Sequence, residues 1–192
     1  MSLAALSEEI SPYQEVIAYE KIWASSKMTE SKVTQLFKNG LLPSQLLNEV
    51  ISSIEEHGKV EDYLQQKIGH FNVCISGDFQ FPQRLMDARH PAHLFYYKGE
   101  LGLTEFPPSI SIVGARSASP EGLRRAKKLA TLLSQKGLTI ISGLAEGIDT
   151  AALKGALEHG GKVIGVIGTP IDEYYPKKIF LCRMKLLTIT YL

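Results

Sequence analysis

"LTIISGLAEGIDTAALKGALEHGGKVIGVIG", residues 138–168, decides the fold. It opens on Leu138–Ser142, a run apolar enough for a strand covered on both faces. Gly143 and Gly147 then punctuate a short loop. A helix rich in alanine and leucine follows and stops at Gly160-Gly161. "KVIGVIG" supplies a second apolar strand. A strand, a helix and a strand joined this tightly make a parallel unit with a right-handed crossover.

The same pattern repeats upstream. "SISIVG" (109–114) reads as a strand and "ASPEGLRRAKKLATLLSQKG" (118–137) as a helix. Ser119 is its expected N-cap, Pro120 suits the first helical position, and Glu121 suits the positive helix end. Gly137 ends it. Leu123, Ala126, Leu129, Ala130 and Leu133 form the expected buried stripe. The fold class is therefore α/β, a Rossmann-like parallel sheet with helices on both faces.

Three loops leave the carboxyl ends of these strands: "GARSAS" (114–119), "SGLAEG" (142–147) and "GTPIDEYYP" (168–176). Ligands of open parallel sheets settle at that edge, where helix N-termini offer amide hydrogens and a positive dipole end to an anion. Gly143 and Gly147 are expected to permit positive φ and close backbone approach. Arg116 is the one strong cation placed inside a loop. Asp149 is expected to cap the second helix, and His159 to suit its C-terminal end. Thr169, with Tyr174 or Tyr175, completes the rim.

Other chemistries lack their signatures. No G-x-G-x-x-G opens either helix and no P-loop motif occurs, so a nicotinamide or ATP cofactor is not expected. No Ser-His-Asp or paired-carboxylate set is visible. Cys74 and Cys182 lie far apart, His70, His90 and His93 have no ligand spacing, and no metal is expected. No apolar run approaches the roughly 18 residues of a membrane helix. The N-terminus lacks a basic start and a long apolar stretch, so a cytoplasmic protein without membrane contact is expected.

The rest of the chain divides by texture. Residues 1–66 hold ten acids against five lysines, and their periodicity is helical. Thr29 is an expected N-cap, Asn39-Gly40 a helix stop, and Ser44 the cap of a helix ending near Gly58. Trp23 reads as core. A small all-helical N-terminal domain is expected over 1–67. Residues 68–108 follow as a strand–helix–strand lead-in with a strand at Leu94–Lys98 and a loop over 102–108. The core spans 109–178, and 179–192 form an atypical tail. Six basic residues against Glu121 in 114–136 suit a polyanion or a solvated helix face.

"SIVGARSASPEG", "IISGLAEGIDTAALKGALEHGGKVIGVIG", "GTPIDEYYP" and the upstream "FPQRLMDARHPAHLFYYKGEL" resemble the DprA/Smf family of DNA-processing proteins. The resemblance covers residues 71–178. It implies an extended Rossmann-like fold behind a helical domain, sterile-alpha-motif-like in some members. It also implies a non-enzymatic function: binding and protecting incoming single-stranded DNA and loading the recombinase RecA in natural transformation. The implied DNA-binding residues are Gly114, Arg116, Ser117, Ser142, Gly143, Gly147, Thr169 and Lys177. Family members dimerise largely through the later part of the core. The family commonly has a histidine where Leu153 stands, a glycine at Pro170 and an asparagine at Ile179. "IFLCRMKLLTITYL" (179–192) resembles nothing in the family, so a truncated core is expected, with the tail as a substitute strand or disordered. The rival reading is a phosphoribohydrolase-like enzyme acting on a nucleoside monophosphate. It requires a P-G-G-x-G-T-x-x-E motif, of which only "GTPIDE" is present.

Overall fold

The structure, a computed structural model, describes residues 11–24, 28–37, 40–50, 57–67, 69–89, 91–105, 108–169, 171 and 187–190. The chain forms two compact units, Met1–Phe95 and Tyr96–Leu192.

The first unit carries α1 (Pro12–Ala24), α2 (Glu30–Phe37), α3 (Pro43–Val50) and α4 (His57–Lys67). Val16, Tyr19 and Ile22 of α1 are buried, as are Val33, Phe37, Leu46 and Leu64 of the other helices. Thr29 caps α2 as expected, accepting from the Lys32 amide at 3.4 Å. The expectation for Ser44 is corrected. It lies inside the first turn of α3, and buried Glu15 of α1 accepts from its amide at 2.9 Å and its hydroxyl at 2.6 Å. A carboxylate from a distant helix thus takes the place of a local cap, using the same attraction to the positive helix end. α3 is described to Val50 and α4 from His57; Gly58 lies inside α4 rather than at a helix end, and residues 51–56 lie outside the described residues.

β1 (Asn72–Ile75) lies beside the start of β2 (Leu94–Lys98), and the Ser76 amide donates to the His93 carbonyl at 2.7 Å. Between them Gln83–Asp87 is a 3₁₀ turn. His93 is buried, stacked on Phe37 with ring centroids 5.0 Å apart, and burial lowers its pKa. Burial likewise pushes the Cys74 thiol up to about 12, which leaves it inert as a nucleophile. The expected loop after β2 contains a 3₁₀ turn, Leu101–Thr104.

The second unit holds the predicted β-α-β-α-β run: β3 (Ser109–Ser111), α5 (Pro120–Gln135), β4 (Thr139–Ser142), α6 (Ile148–Leu157) and β5 (Val163–Ile167). β3, β4 and β5 pair in parallel. Residues 187–190 of the tail form β6, parallel to β5 and antiparallel to Tyr96–Lys98 of β2. The strand order in this unit is β2-β6-β5-β4-β3. The tail therefore does supply a strand, in register with β5.

α5 begins as expected, with the Ser119 hydroxyl accepting from the Gly122 amide at 3.1 Å and Pro120 at the first position. Its buried stripe is smaller than hydrophobicity suggests. Ala126, Ala130 and Ser134 face inward, while Leu129 is 49% exposed. α6 sets this choice. A Cβ at Gly155 would fall 2.4 Å from the Lys127 carbonyl, so the two helix backbones meet there, and the Thr131 hydroxyl donates to the Gly155 carbonyl at 2.8 Å. Small residues must line such a seam. Both helices cross over in the same sense as the strand order advances, so within this unit the described helices share one face of the sheet. The core beneath them joins Ile112, Ala130, Ile140, Leu144, Ala152, Leu153, Val163 and Ile167.

Candidate functional site

The parallel strands deliver the first two loops and the start of the third to one edge. A cavity of about 220 Å³ opens there. Arg116 of the first loop lines it, as do residues 143–146 of the second and Ile167, Gly168 and Thr169 at the end of β5. Arg116, Gly143 and Thr169 are thus brought together.

The glycines have an unexpected neighbour. A Cβ at Gly147, where φ is +84°, would fall 2.2 Å from the Ala115 carbonyl and 2.4 Å from that of Arg116. A Cβ at Gly114 would fall 2.8 Å from the Ile148 side chain. The close approach these residues permit is therefore between the two loops of the chain itself. The Ile148 amide donates to the Ala115 carbonyl at 3.2 Å, so a backbone oxygen occupies the start of α6.

Asp149 completes this junction. The expectation that it caps α6 is corrected: its Oδ1 accepts from the Gly114 amide at 3.1 Å and its Oδ2 from the Gly143 amide at 3.0 Å. The Ser142 hydroxyl is also committed, donating to the Ile112 carbonyl at 2.7 Å from a buried position outside the cavity lining. Ser117 and Gly114 are exposed on the first loop, and Gly147 lies under Arg116, none of them against the cavity. Lys177, Tyr174 and Tyr175 lie outside the described residues.

Donors remain at positions that carry no sequence signal. Among the described residues, the amides of Leu144, Ala145 and Glu146 donate to nothing. Leu144 has a φ of +55° yet is 2% exposed, its side chain buried in the core. A left-handed leucine costs on the order of 1 kcal/mol and persists only where its surroundings hold it. Here burial holds it, the Thr150 hydroxyl donates to the Ala145 carbonyl at 2.6 Å, and the residues that carry these unpartnered amides line the cavity. Such a row of bare amides makes an anion-binding concavity.

Much of the basic surface is already balanced. Glu121 accepts from Arg124 at 2.8 Å and from Arg125 at 2.7 Å, which lowers its pKa, and Lys127 pairs with Glu158 at 2.6 Å. These exposed pairs fit a solvated helix face. Arg116, Lys128 and Lys136 have no ion pair among the described residues. His159 lies near the end of α6, its Nδ1 3.1 Å from the Gly155 carbonyl. Among the described residues, no cluster of His, Cys, Asp or Glu could hold a metal ion, and no helix is long and apolar enough to cross a membrane.

The sequence and fold match known proteins. The family model for DNA recombination-mediator protein A matches residues 72–187, past the boundary expected at 178. DNA processing protein DprA of Streptococcus pneumoniae is 38% identical over 125 residues, 65% of this chain and 44% of that protein. Protein Smf of Synechocystis is 35% identical over 153 residues, 78% of this chain and 34% of that one. The chain thus spans less than half the length of these relatives. The X-ray structure of the Streptococcus pneumoniae protein superposes with a TM-score of 0.73 at 30% identity, covering 95% of this chain and 68% of that one. A Helicobacter pylori DNA processing protein A shares the fold at a TM-score of 0.53 and 24% identity, over 63% of this chain and 56% of that one.

Proposed function

The chain belongs to the DNA recombination-mediator protein A (DprA/Smf) family, and from that premise we propose that it binds single-stranded DNA at the cavity between its two glycine loops. In the cell it works in the cytoplasm, protects incoming strands and hands them to RecA during transformation. The Helicobacter pylori relative, whose structure concerns a single-stranded DNA binding mode, supports the choice of ligand. The observation that carries the reading is the meeting of Arg116 with the bare amides of Leu144–Glu146 at one cavity.

The chemistry follows from those donors. The Arg116 guanidinium is a fork suited to two oxygens of one phosphate. The amides contribute partial positive charge. Such contacts position a strand without reading its bases, so sequence preference is slight. The role is binding, and no group at the site is assigned a catalytic step.

The test is a fluorescence-anisotropy titration of a labelled oligothymidylate over a range of salt. Arg116→Ala should weaken binding about tenfold, the size of one charged hydrogen-bonding contact. It should also reduce the slope of log K against log salt by about 0.7, the release expected for one phosphate of a single strand. Wild-type affinity and slope in Arg116→Ala would remove the site.

A further inference from the structure

Asp149 is the only charged side chain of the second unit that is buried among the described residues, at 4% exposure. It sits in the first turn of α6, where the helix dipole favours an anion. Yet it serves neither its own helix nor a salt bridge. Its two oxygens divide between loops distant in sequence, one to Gly114 and one to Gly143. Those two glycines flank the groups assigned to the site. Gly114 starts the loop that carries Arg116, and Gly143 starts the loop that carries the bare amides.

We propose that Asp149 is a positioning residue for the DNA site: its carboxylate holds the Arg116 loop and the 143–146 loop in one fixed arrangement. This rests on the DNA-binding reading above. A carboxylate is the group required, because two amide donors face it and each needs an acceptor. An asparagine of the same shape offers one acceptor and turns its own N–H₂ toward the second donor. Gly143 must itself lack a side chain here, since a Cβ on it would stand 2.9 Å from Oδ2. Gly147 acts in the same direction by letting the Arg116 backbone settle on the start of α6.

The test compares the full-length chain with Arg116→Ala, Asp149→Asn and the double variant. Oligothymidylate affinity is read at several salt concentrations, and backbone amide exchange is followed by NMR. Asp149→Asn should lose roughly three- to tenfold in affinity at a temperature where it is fully folded. Its salt slope should fall toward that of Arg116→Ala, and the double variant should lose less than the product of the two single losses. Wild-type affinity in Asp149→Asn alongside a weakened Arg116→Ala overturns the positioning role, as do losses that multiply. Wild-type affinity in Arg116→Ala overturns the site reading instead. Should Asp149→Asn fail to fold, the wild-type exchange pattern decides. Gly114 and Gly143 amides should be protected in surface loops where Leu144–Glu146 amides exchange freely, and equal exchange at all five overturns the clamp.

Discussion

Replacing Gly147 by alanine puts the loop junction under direct test. Its φ of +84° is unfavourable for any residue with a Cβ, and its neighbour leaves no room for one. The backbone penalty is about 1–3 kcal/mol. The added Cβ would stand 2.2 Å from the Ala115 carbonyl oxygen, so the 114–117 loop must retreat by about 1 Å to reach van der Waals contact. That retreat breaks the Ile148–Ala115 hydrogen bond, worth about 1 kcal/mol, and misaligns Asp149 with Gly114. The sum is about 3–5 kcal/mol, a large share of the 5–15 kcal/mol that a domain has. For a unit on the order of 100 residues this lowers Tm by roughly 12–40 °C. Gly137 is the control. Its φ is +83°, but nothing stands within 4 Å of a Cβ there, so alanine should cost only about 1 kcal/mol. Thermal and urea unfolding of both variants, followed by circular dichroism, separate the steric part from the conformational part. If Gly147→Ala comes within about 1 kcal/mol of Gly137→Ala, the two loops do not pack as described.

Gly155→Ala opposes helix propensity to packing: alanine gains about 1 kcal/mol in a helix interior, but its Cβ meets the Lys127 carbonyl at 2.4 Å. A net loss of about 1–3 kcal/mol in urea unfolding is expected, and a stabilised variant would refute the α5–α6 seam. Stability should also depend on His93. Its folded pKa lies below 6.5, so the unfolded chain binds the extra proton. Stability is then level above about pH 7.5 and declines as pH falls through 6.5, by at most about 1.4 kcal/mol per pH unit. His93→Phe, which keeps the stack on Phe37, should flatten that slope between pH 7.5 and 5.5; an unchanged slope would place its cause elsewhere.

What the sequence made legible was local. Ser119, Pro120, Glu121 and Gly137 act within one helix, and each stands where the pattern placed it. The order of strands and helices in the second unit was equally plain, because apolar runs and glycines alternate at a spacing only parallel units use. The misses all involve a partner far along the chain. Ser44 resembled a cap, but Glu15, 29 residues away, supplies the acceptor. Leu129 belonged to the apolar stripe by period, yet the close approach at Gly155 turns the smaller alanines inward. Asp149 resembled a cap because it is an acid at a helix start. Its bond to Gly114 spans 35 residues, and nothing in either segment alone records it.

The same distinction bears on the site. Glycine-rich loops at a sheet edge suggest that a ligand needs the space, and here the chain needs it for itself. The amides of Gly114, Gly143 and Ile148 are bound internally, and Ser119 closes the start of α5. Both helix N-termini that made the edge attractive to an anion are thus partly satisfied before any ligand arrives. What the junction leaves over is a short row of amides held by a strained leucine, and a guanidinium on the loop whose backbone meets the start of α6. A site assembled from leftovers of internal packing has few donors. Under the proposed function, affinity at one such site is modest, and tight binding requires a strand long enough to engage several contacts at once. Shortening the oligonucleotide should therefore weaken binding more steeply than Arg116→Ala does; affinity that is independent of length would mean that this cavity alone holds the ligand.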